Sequence, residues 1–349
     1  MTHGIILAGG RGERLRPITD TEPKPTLKVG GIPAIGYSVR MLGEAGIKRA
    51  TATVRYMYDD ISEAIKSLPE CGIKTDVDVD CYIEIEMLGT SGSARAALCE
   101  LGASGDDIDE IVVVSGDAVC DFDLRPAISH HRASGAAATL LLAHSDTPWL
   151  YGNVELEGGN SRCGKITGFR EKPEDAVPGA LVNTGIYILS RRAVNYIPDG
   201  ESDFARDLFP LLLEHGETLY GVCGVGYWCD IGSPESLRRA NFDASKNQIR
   251  GVSAAVSPTG AIASPSCRVG IRSILTGCLL FPDVTVGINV TAEDAILCRG
   301  VSVGDNVRIG RGAVIGEGAV VISGSDVSEN EHVAAGAVYD HGRQIPITI

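Results

Sequence analysis

The feature that most constrains the fold is a repeat of six residues in the C-terminal part of the chain. Aliphatic residues stand six positions apart, and a glycine directly follows each of the first three; the aliphatic residues are Val303, Ile309, Ile315, Val321, Val327 and Val333. This period is typical of a β-helix, in which each hexapeptide forms one flat side of a coil and the aliphatic side chain points inward. The pattern continues less regularly upstream, at Val269-Gly270 and Val286-Gly287. With about 18 residues per coil, the sequence predicts roughly five coils.

The composition of the chain changes near residue 250. After Lys246 there is no lysine, and the aromatic residues are Phe281 and Tyr339. The polar segment Asp243–Gly251 marks the change. The sequence therefore predicts three parts, which are a first domain over residues 1–242, a linker over 243–255 and a β-helix domain over 256–349.

The first two-thirds of the chain alternates strand-like and helix-like segments. Short apolar runs at Ile5–Ala8, Ala50–Val54 and Ile111–Val114 predict buried strands, and aliphatic residues at helical spacing follow Pro33. This βαβ rhythm predicts an α/β domain with a largely parallel sheet and helices on both faces. Ligands of such sheets bind beyond the carboxyl ends of the strands, where both the glycines after Ala8 and the carboxylate of Asp117 fall.

Charge and hydropathy exclude several classes of protein. The 349 residues carry a formal charge of −14, which argues against a broad surface that binds nucleic acid. No stretch reaches the roughly 18 apolar residues that a membrane span needs, and we expect a soluble, cytoplasmic protein. The ten cysteines show neither a CxxC pair nor zinc-ligand spacing, and we expect them to be reduced and mostly buried.

A glycine-rich loop follows the first predicted strand. Gly9, Gly10 and Gly12 allow the backbone to approach a ligand closely and to point successive N–H groups at it, which suits a polyphosphate. Arg14 and Lys24 add positive charge, and residues 1–30 hold five basic residues against three acidic ones. The loop lacks both the third glycine of a dinucleotide fingerprint and the Gly-Lys-Ser/Thr of a Walker A loop.

The loop resembles the signature of the sugar-nucleotide pyrophosphorylases. Residues 7–17 match Leu-Ala-Gly-Gly-x-Gly-x-Arg-Leu-x-Pro, and residues 23–25 match Pro-Lys-Pro. The resemblance implies a Rossmann-like nucleotidyltransferase domain followed by a left-handed β-helix, and a sugar-1-phosphate nucleotidyltransferase of class EC 2.7.7. It also implies that Leu7, Ala8, Gly9, Gly10 and Gly12 bind the nucleotide. By the same resemblance, Arg14 holds the β and γ phosphates and Lys24 neutralises charge on the α phosphate.

Two carboxylates at family-matching positions are the candidate metal ligands. Asp117 ends an apolar strand, and Asp230 lies in the segment Tyr227–Gly232. Mg²⁺ is usually held by one or two acidic groups together with phosphate oxygens and water, so the pair suits a site for a magnesium–triphosphate complex.

Further segments resemble the family's base and sugar motifs. Leu88–Gly92 is similar to the base-contacting Leu-Gly-Thr-Ala-Gly turn, with Ser91 replacing alanine and Met87 replacing a common proline. The nucleotide-binding candidates in this region are Glu86, Gly89 and Thr90. The sugar-binding candidates, which lie in Tyr-Gly-x-Val, Phe-x-Glu-Lys-Pro and Asn-x-Gly-Ile-Tyr elements, are Gly152, Glu171, Lys172 and Asn183. Glu171 would accept hydrogen bonds from sugar hydroxyls, while Lys172 would neutralise the sugar phosphate.

The motifs specify the chemistry more sharply than the substrate. Arg14, Lys24, Asp117, Lys172 and Asp230 are the predicted catalytic residues for attack of the sugar phosphate on the α-phosphorus. The resemblance is greatest to mannose-1-phosphate guanylyltransferases, which implies GTP and mannose 1-phosphate as substrates.

Several alternatives stay open. They are UTP, dTTP or ATP with glucose 1-phosphate or a cyclitol or heptose phosphate, a bifunctional acyltransferase, and a silent regulatory relative. We expect no nucleic-acid or membrane partner, and we expect a homo-oligomer formed through the β-helix.

Overall fold

The structure is a computed structural model that describes residues 1–102, 108–158 and 162–346. The chain forms two compact units. The sheet unit comprises Met1–Gly10 and Pro33–Trp228, and the repeat unit comprises Arg11–Ile32 and Cys229–Ile349. The repeat unit therefore includes a segment from near the N-terminus, which the sequence pattern did not indicate. The domain boundaries drawn from composition at 242 and 255 stay predictions.

The helices and strands alternate in the first two-thirds of the described chain and become short strands alone in the last third. The α-helices are α1 (Ala34–Glu44), α2 (Tyr58–Lys66), α3 (Gly89–Glu100), α4 (Arg125–Ser134), α5 (Arg191–Val194), α6 (Phe209–Glu214) and α7 (Pro234–Ser245). The first strands are β1 (Thr2–Leu7), β2 (Lys28–Val29), β3 (Ile32–Pro33), β4 (Arg49–Val54), β5 (Asp78–Ile83), β6 (Glu110–Ser115), β7 (Ala118–Cys120), β8 (Ala138–Ser145), β9 (Gly152–Leu156), β10 (Cys163–Glu171), β11 (Ala180–Ser190), β12 (Leu219–Cys223) and β13 (Trp228–Asp230). The later strands are β14 (Ile262–Ala263), β15 (Arg268–Val269), β16 (Ile274–Thr276), β17 (Leu279–Leu280), β18 (Thr285–Val286), β19 (Thr291–Glu293), β20 (Ile296–Leu297), β21 (Ser302–Val303), β22 (Arg308–Ile309), β23 (Val314–Ile315), β24 (Val320–Val321), β25 (Asp326–Val327), β26 (His332–Val333), β27 (Val338–Asp340) and β28 (Arg343–Ile345).

The sheet unit contains a mixed sheet in the order β5-β4-β1-β6-β11-β8-β12-β10-β9. The strands β5, β4, β1 and β6 are parallel, whereas β11 is antiparallel to both β6 and β8. Residues Ile111–Val114 of β6 are buried throughout, as expected for a strand covered on both faces. Gly4 in β1 permits the close packing of α1, because a Cβ there would lie 2.8 Å from Leu42 Cδ1. The predicted α/β architecture of this region is confirmed, but the sheet is mixed rather than largely parallel, because the pairings of β10 and β11 are antiparallel.

Among the described residues, the C-terminal part of the repeat unit consists of short strands in sheets of five, six and four strands, which are parallel except for β28, antiparallel to β27. From β14 to β27, paired strands are three strands apart along the chain; Val286 of β18 pairs with Val303 of β21, which in turn pairs with Val321 of β24. All six aliphatic residues of the hexad repeat are at most 3% exposed, so the prediction that they point inward is confirmed. Sterics explain why glycine follows the aliphatic residue. A Cβ on Gly304 would lie 2.4 Å from Ser323 Oγ and 2.5 Å from Ser323 N.

Helix α7 ties the parts of the repeat unit together. Ser233 caps its N-terminus in a capping box with Ser236. The Arg238 guanidinium lies 2.9 Å from the Asp294 carboxylate in the repeats. The buried Asn241 amide donates to the carbonyls of Lys28 and Leu237, and its oxygen accepts from Gly30 N; each bond measures 3.1 Å. These contacts join the N-terminal segment, α7 and the first repeats.

The cysteines correct one expectation. No disulfide joins any of the ten, but only Cys120, Cys229, Cys278 and Cys298 are buried. Cys81 is exposed because it lies on β5, the edge strand of the sheet, most of whose side chains are exposed. The prediction that most of the thiols are buried is therefore wrong. No helix in the described ranges is long and apolar enough to cross a membrane.

We predict that Asn241→Leu lowers the free energy of unfolding by about 3 kcal/mol, because the Lys28 carbonyl and the Gly30 N–H lose their partner inside the protein. Urea denaturation measures this effect. The matched control is Gln248→Leu at an exposed amide just beyond α7, which should unfold like the wild type. An Asn241→Leu protein as stable as this control would show that the amide does not tie the segment to α7.

Candidate active site

Several functional candidates lie at the carboxyl ends of the parallel strands in the sheet unit. Strand β1 ends at Leu7, which pairs with Ser115 at the end of β6. Gly116 N donates to Leu7 O at 2.8 Å, and a Cβ on Gly116 would lie 3.0 Å from that oxygen. This close approach brings Ala8 and the following Gly9-Gly10 next to the strand end that carries Asp117. The expectation that Leu7, Ala8, Gly9 and Gly10 lie beside Asp117 is consistent with this geometry.

A second carboxylate at this edge was not singled out from the sequence. Glu84 directly follows β5, is 7% exposed, and donates its backbone N–H to Val54 O at 2.8 Å. A Cβ on Gly9 would lie 3.2 Å from Glu84 Oε2, so the carboxylate borders the glycine loop. Burial raises the pKa of Glu84, whereas hydrogen bonds from Ser93 and Thr53 act to lower it. Among the described residues, Glu84 Oε1 has no hydrogen-bond partner.

The sequence signal for Glu84 is its place as the first polar residue after β5, which β4 separates from β1 and its glycine loop. The similarity of Leu88–Gly92 to a base-contacting turn drew attention instead to Glu86. That side chain is exposed.

The Leu88–Gly92 turn packs against the backbone of residues 200–203. Ser202 O accepts hydrogen bonds from Ser91 N at 3.0 Å and Gly92 N at 3.2 Å. Gly89 has a φ of 68°, and a Cβ there would lie 2.4 Å from Ser202 O. Thr90 Oγ1 donates to Asp203 Oδ1 at 2.8 Å. Close packing therefore explains Gly89 and Thr90 structurally, and nucleotide binding by Glu86, Gly89 and Thr90 stays a prediction.

Three predicted catalytic residues converge in the repeat unit. Lys24 is 7% exposed, and its ammonium donates to Asp230 Oδ1 at 2.9 Å. Arg14 Nη2 lies 3.9 Å from the other carboxylate oxygen of Asp230. Gly232 leaves room for this group, because a Cβ there would lie 2.8 Å from Arg14 Nη2 and 3.0 Å from Asp230 Oδ2. A buried lysine charge is stable only with such a partner.

Local sequence explains how Lys24 is presented. Lys24–Thr26 form a 3₁₀ turn that starts after Pro23, and Thr26 Oγ1 donates to Pro23 O at 2.8 Å. Prolines on both sides of Lys24 restrict the backbone around it. Gly12 has a φ of 65°, and its carbonyl accepts from Thr19 Oγ1 at 2.8 Å. The loop that carries Arg14 is thereby held in a defined turn.

The predicted sugar-binding residues gather on the sheet unit. Gly152 of β9 pairs with Glu171 of β10, and a Cβ on Gly152 would lie 2.9 Å from Glu171 Oε2 and 3.9 Å from Asn183 Cβ. Lys172 has a φ of 45°, and its N–H donates to Tyr151 O at 3.1 Å. Its exposed ammonium lies 3.6 Å from Glu171 Oε1. Gly152, Glu171, Lys172 and Asn183 are therefore neighbours, although sugar binding by them is not itself tested.

Asn183 marks a bulge in β11. The register of β11 with β8 shifts between Asn183 and Tyr187. Asn183 Nδ2 donates to Tyr187 Oη at 2.8 Å, and its Oδ1 accepts from Gly185 N at 3.0 Å. Gly185 has a φ of 78°, and a Cβ there would lie 3.5 Å from Ser115 Cβ. The bulge thus brings the sugar-side residues beside the strand end that precedes Asp117.

Asp117 of the sheet unit and Asp230 of the repeat unit each offer carboxylate oxygens, which are the donors that a hard divalent cation prefers. Asp117 is half-buried and accepts a hydrogen bond from Ser115 Oγ, and Asp230 is bonded to Lys24. Within the described residues, no group of three or more His, Cys, Asp or Glu side chains is placed to hold a metal ion. Oxygen donors in small number suit Mg²⁺, which keeps several waters and binds phosphates.

The family model of nucleotidyl transferases matches residues 3–247, which is well over half of the chain. The chain belongs to the nucleotidyl transferase family. A mannose-1-phosphate guanyltransferase of Yarrowia lipolytica is 33% identical over 278 residues, which cover 74% of this chain and 73% of the relative. A mannose-1-phosphate guanyltransferase of Candida albicans is 32% identical over 234 residues. That match covers 67% of this chain and 62% of the relative, so it spans less than two thirds of the Candida protein.

A solved structure from Bacillus anthracis, described as a glucose-1-phosphate thymidylyltransferase in complex with a sucrose, is also similar. It superposes with a TM-score of 0.59 at 28% identity and covers 69% of this chain and 94% of that one. The resemblance to sugar-phosphate nucleotidyltransferases is therefore confirmed, and this nucleotidyl transferase is an enzyme of class EC 2.7.7.

We predict that Lys24→Met reduces the rate of nucleotidyl transfer at least about 100-fold, because it removes a fixed positive charge and leaves Asp230 without its ion-pair partner. Pyrophosphate release measures the rate, and circular dichroism checks that the variant is folded. Lys66→Met, at an exposed lysine on α2, is the control and should keep full activity. A folded Lys24→Met enzyme with more than a tenth of wild-type activity would contradict the assignment.

Proposed function

We propose that this nucleotidyl transferase joins GTP to mannose 1-phosphate, with release of pyrophosphate. The observation that carries the proposal is the convergence of Arg14 and Lys24 on Asp230 in the motif that the family uses for a triphosphate. The names of the Yarrowia and Candida relatives support the choice of GTP and mannose 1-phosphate.

The proposed mechanism is positioning together with charge neutralisation. A sugar phosphate is already an anion, so its attack on the α-phosphorus needs no general base. Arg14 binds the β and γ phosphates, Lys24 neutralises the α phosphate, and Lys172 holds the sugar phosphate. Backbone N–H groups of the glycine loop, including those of Gly9, Gly10 and Gly12, bind the triphosphate.

Mg²⁺ fits the proposed reaction. Asp117 and Asp230 would hold the ion, which would supply positive charge to the triphosphate. Asp230 therefore has two proposed roles, as a metal ligand and as the partner that holds Lys24 in position.

Glu84 is our proposed reader of the base. Its carboxylate is buried beside the glycine loop, and Oε1 has no partner among the described residues. Guanine presents two adjacent N–H donors, N1–H and N2–H, to such a carboxylate. Uracil and thymine present one N–H between two carbonyl acceptors, and adenine presents an amino group beside an acceptor nitrogen. A buried, unpaired acceptor therefore favours GTP over the other nucleotides.

On the sugar side, Glu171 and Asn183 are the proposed partners of the hydroxyls. Gly152 would allow the sugar to approach closely, because a side chain at this position would meet Glu171 Oε2. For the stacked parallel strands after residue 256 we propose a left-handed β-helix that mediates homo-oligomer formation. A cytoplasmic location stays a prediction.

A second candidate is dTTP with glucose 1-phosphate, which the similarity to the Bacillus anthracis structure favours. The two pairs of substrates are distinguished by measuring pyrophosphate release from GTP, UTP, dTTP and ATP, each with mannose 1-phosphate and glucose 1-phosphate. We predict that GTP with mannose 1-phosphate gives the highest kcat/KM, by at least about 100-fold over dTTP with glucose 1-phosphate. A preference for dTTP would overturn the assignment.

We predict that Glu84→Gln lowers kcat/KM for GTP about 100-fold and narrows the preference for GTP over UTP, because the new amide N–H₂ faces a guanine donor. Steady-state kinetics with both nucleotides measure this change. Glu86→Gln decides between the two carboxylates, since a loss of GTP preference in that variant alone would assign the base contact to Glu86. Glu63→Gln on α2 is the surface control.

A further inference from the structure

A cavity of about 450 Å³ lies inside the repeat unit and is not used by the proposed reaction. Its volume falls in the range of small-molecule sites. One wall is apolar and comes from the repeats; it includes Ile262, Leu279, Leu280, Phe281 and Pro282. The opposite wall comes from the segment Glu22–Gly31, with Asn241 of α7 and residues 253–255 completing the lining.

Three ionisable side chains enter this apolar cavity. They are Glu22, Lys28 and Arg299. Lys28 and Arg299 are exposed, and across the described ranges neither is within ion-pair distance of a carboxylate. Within the described part of the chain, the Glu22 carboxylate makes one hydrogen bond, a long contact of 3.5 Å with Thr26 Oγ1. Polar groups that converge on an apolar wall are typical of a ligand site.

The charges of the three groups act on one another. Burial raises the pKa of Glu22 to about 7, whereas the positive charges of Arg299 and Lys28 act to lower it. Glu317 also faces Glu22 and raises its pKa, and the buried Cys298 thiol lies within its field. At neutral pH the positive charges of Lys28 and Arg299 therefore face a carboxylate whose protonation is favoured by burial.

We infer that this cavity binds a small organic anion, with an apolar or aromatic body against Leu279, Leu280 and Phe281 and one anionic group between Lys28 and Arg299. A cation is repelled by both of these basic residues. A polyhydroxylated neutral molecule finds too few hydrogen-bond partners on the apolar wall to replace those it has in water. An amphipathic anion satisfies both parts of the lining.

The position of the cavity suggests a consequence for catalysis. Glu22 and Lys28 stand on either side of the turn Lys24–Thr26, so an occupant contacts both ends of the segment that carries Lys24. Binding at the cavity should therefore alter the rate of nucleotidyl transfer. This consequence rests on the proposed function, whereas the binding itself does not.

Calorimetric titration of the full chain with three probes tests the binding. Benzenesulfonate has an aromatic body and a permanent negative charge, benzenesulfonamide lacks the charge, and methanesulfonate lacks the ring. We expect benzenesulfonate to bind one-to-one and at least tenfold more tightly than either of the other probes. Equal affinities for the three probes, or no binding of benzenesulfonate, would overturn the inference.

Variants locate the bound probe. Arg299→Gln should weaken benzenesulfonate binding about tenfold, and Ala255→Trp should block the cavity from an exposed position without disturbing buried residues. Arg268→Gln is the matched control at another exposed arginine of the repeats that lies outside the cavity. Binding that survives both cavity variants would place the probe elsewhere and refute the site.

The pH dependence gives an independent readout. Benzenesulfonate keeps its charge between pH 6 and 8, so a change in affinity over this range comes from the protein. Protonation of Glu22 below its raised pKa of about 7 removes a negative charge beside the anion, so binding should tighten as the pH falls. Glu22→Gln should bind with little dependence on pH. A dependence that persists in Glu22→Gln would contradict the role of this carboxylate.

The catalytic consequence has its own measurement. Saturating benzenesulfonate should change the rate of pyrophosphate release at least twofold in the wild type and leave it unchanged in Ala255→Trp, whose cavity is blocked. An unchanged wild-type rate would refute the coupling to Lys24. Absence of pyrophosphate release with every nucleotide and sugar phosphate would instead refute the proposed function, so the two failures are distinguishable.

Discussion

The contact between the Lys24 ammonium and the Asp230 carboxylate, 2.9 Å long, is the interaction on which the rest of the site depends. A lysine that is 7% exposed needs a negative partner, because an isolated charge removed from water is strongly destabilising. The pairing fixes the position of a positive charge before any substrate binds. It also gives Asp230 a structural role in addition to its proposed one at a metal ion. The same carboxylate lies near Arg14, so one acidic residue orients two basic ones.

The contact joins parts of the chain that are more than 200 residues apart. The N-terminal segment is held by Asn241 of α7, and α7 is held by the Arg238–Asp294 pair to the repeats. Neighbouring strands of the repeats pack closely at their glycines, since a Cβ on Gly304 would lie 2.5 Å from Ser323 N. The lysine-free tail thus belongs to the same compact unit as Arg14, Lys24 and Asp230, the proposed catalytic charges, and the cavity beside Lys28 and Arg299 lies in this unit.

Local patterns predicted much of this structure. The hexad positions, the apolar strands and the placement of Asp117 at a strand end all follow from short-range periodicity and turn chemistry. The sequence did not single out Glu84, because its position beside Gly9 depends on the order of β5, β4 and β1 in the sheet. Gly89 and Asn183 were predicted as binding residues, but structural contacts also explain their presence. Gly89 packs against the backbone of Ser202, and Asn183 forms hydrogen bonds within the bulge of β11. The inclusion of Arg11–Ile32 in the repeat unit likewise depends on long-range contacts that periodicity does not encode.

In the proposed mechanism the protein supplies no nucleophile and no base, and fixed charges bring the sugar phosphate and the α-phosphorus together for one displacement. The stereochemistry at that phosphorus tests this claim most directly. With a single diastereomer of GTP that carries sulfur on the α-phosphate, ³¹P NMR of the product shows whether the configuration is inverted or retained. A single in-line attack predicts inversion. Retention would require two displacements through a covalent nucleotidyl-enzyme and would contradict the account.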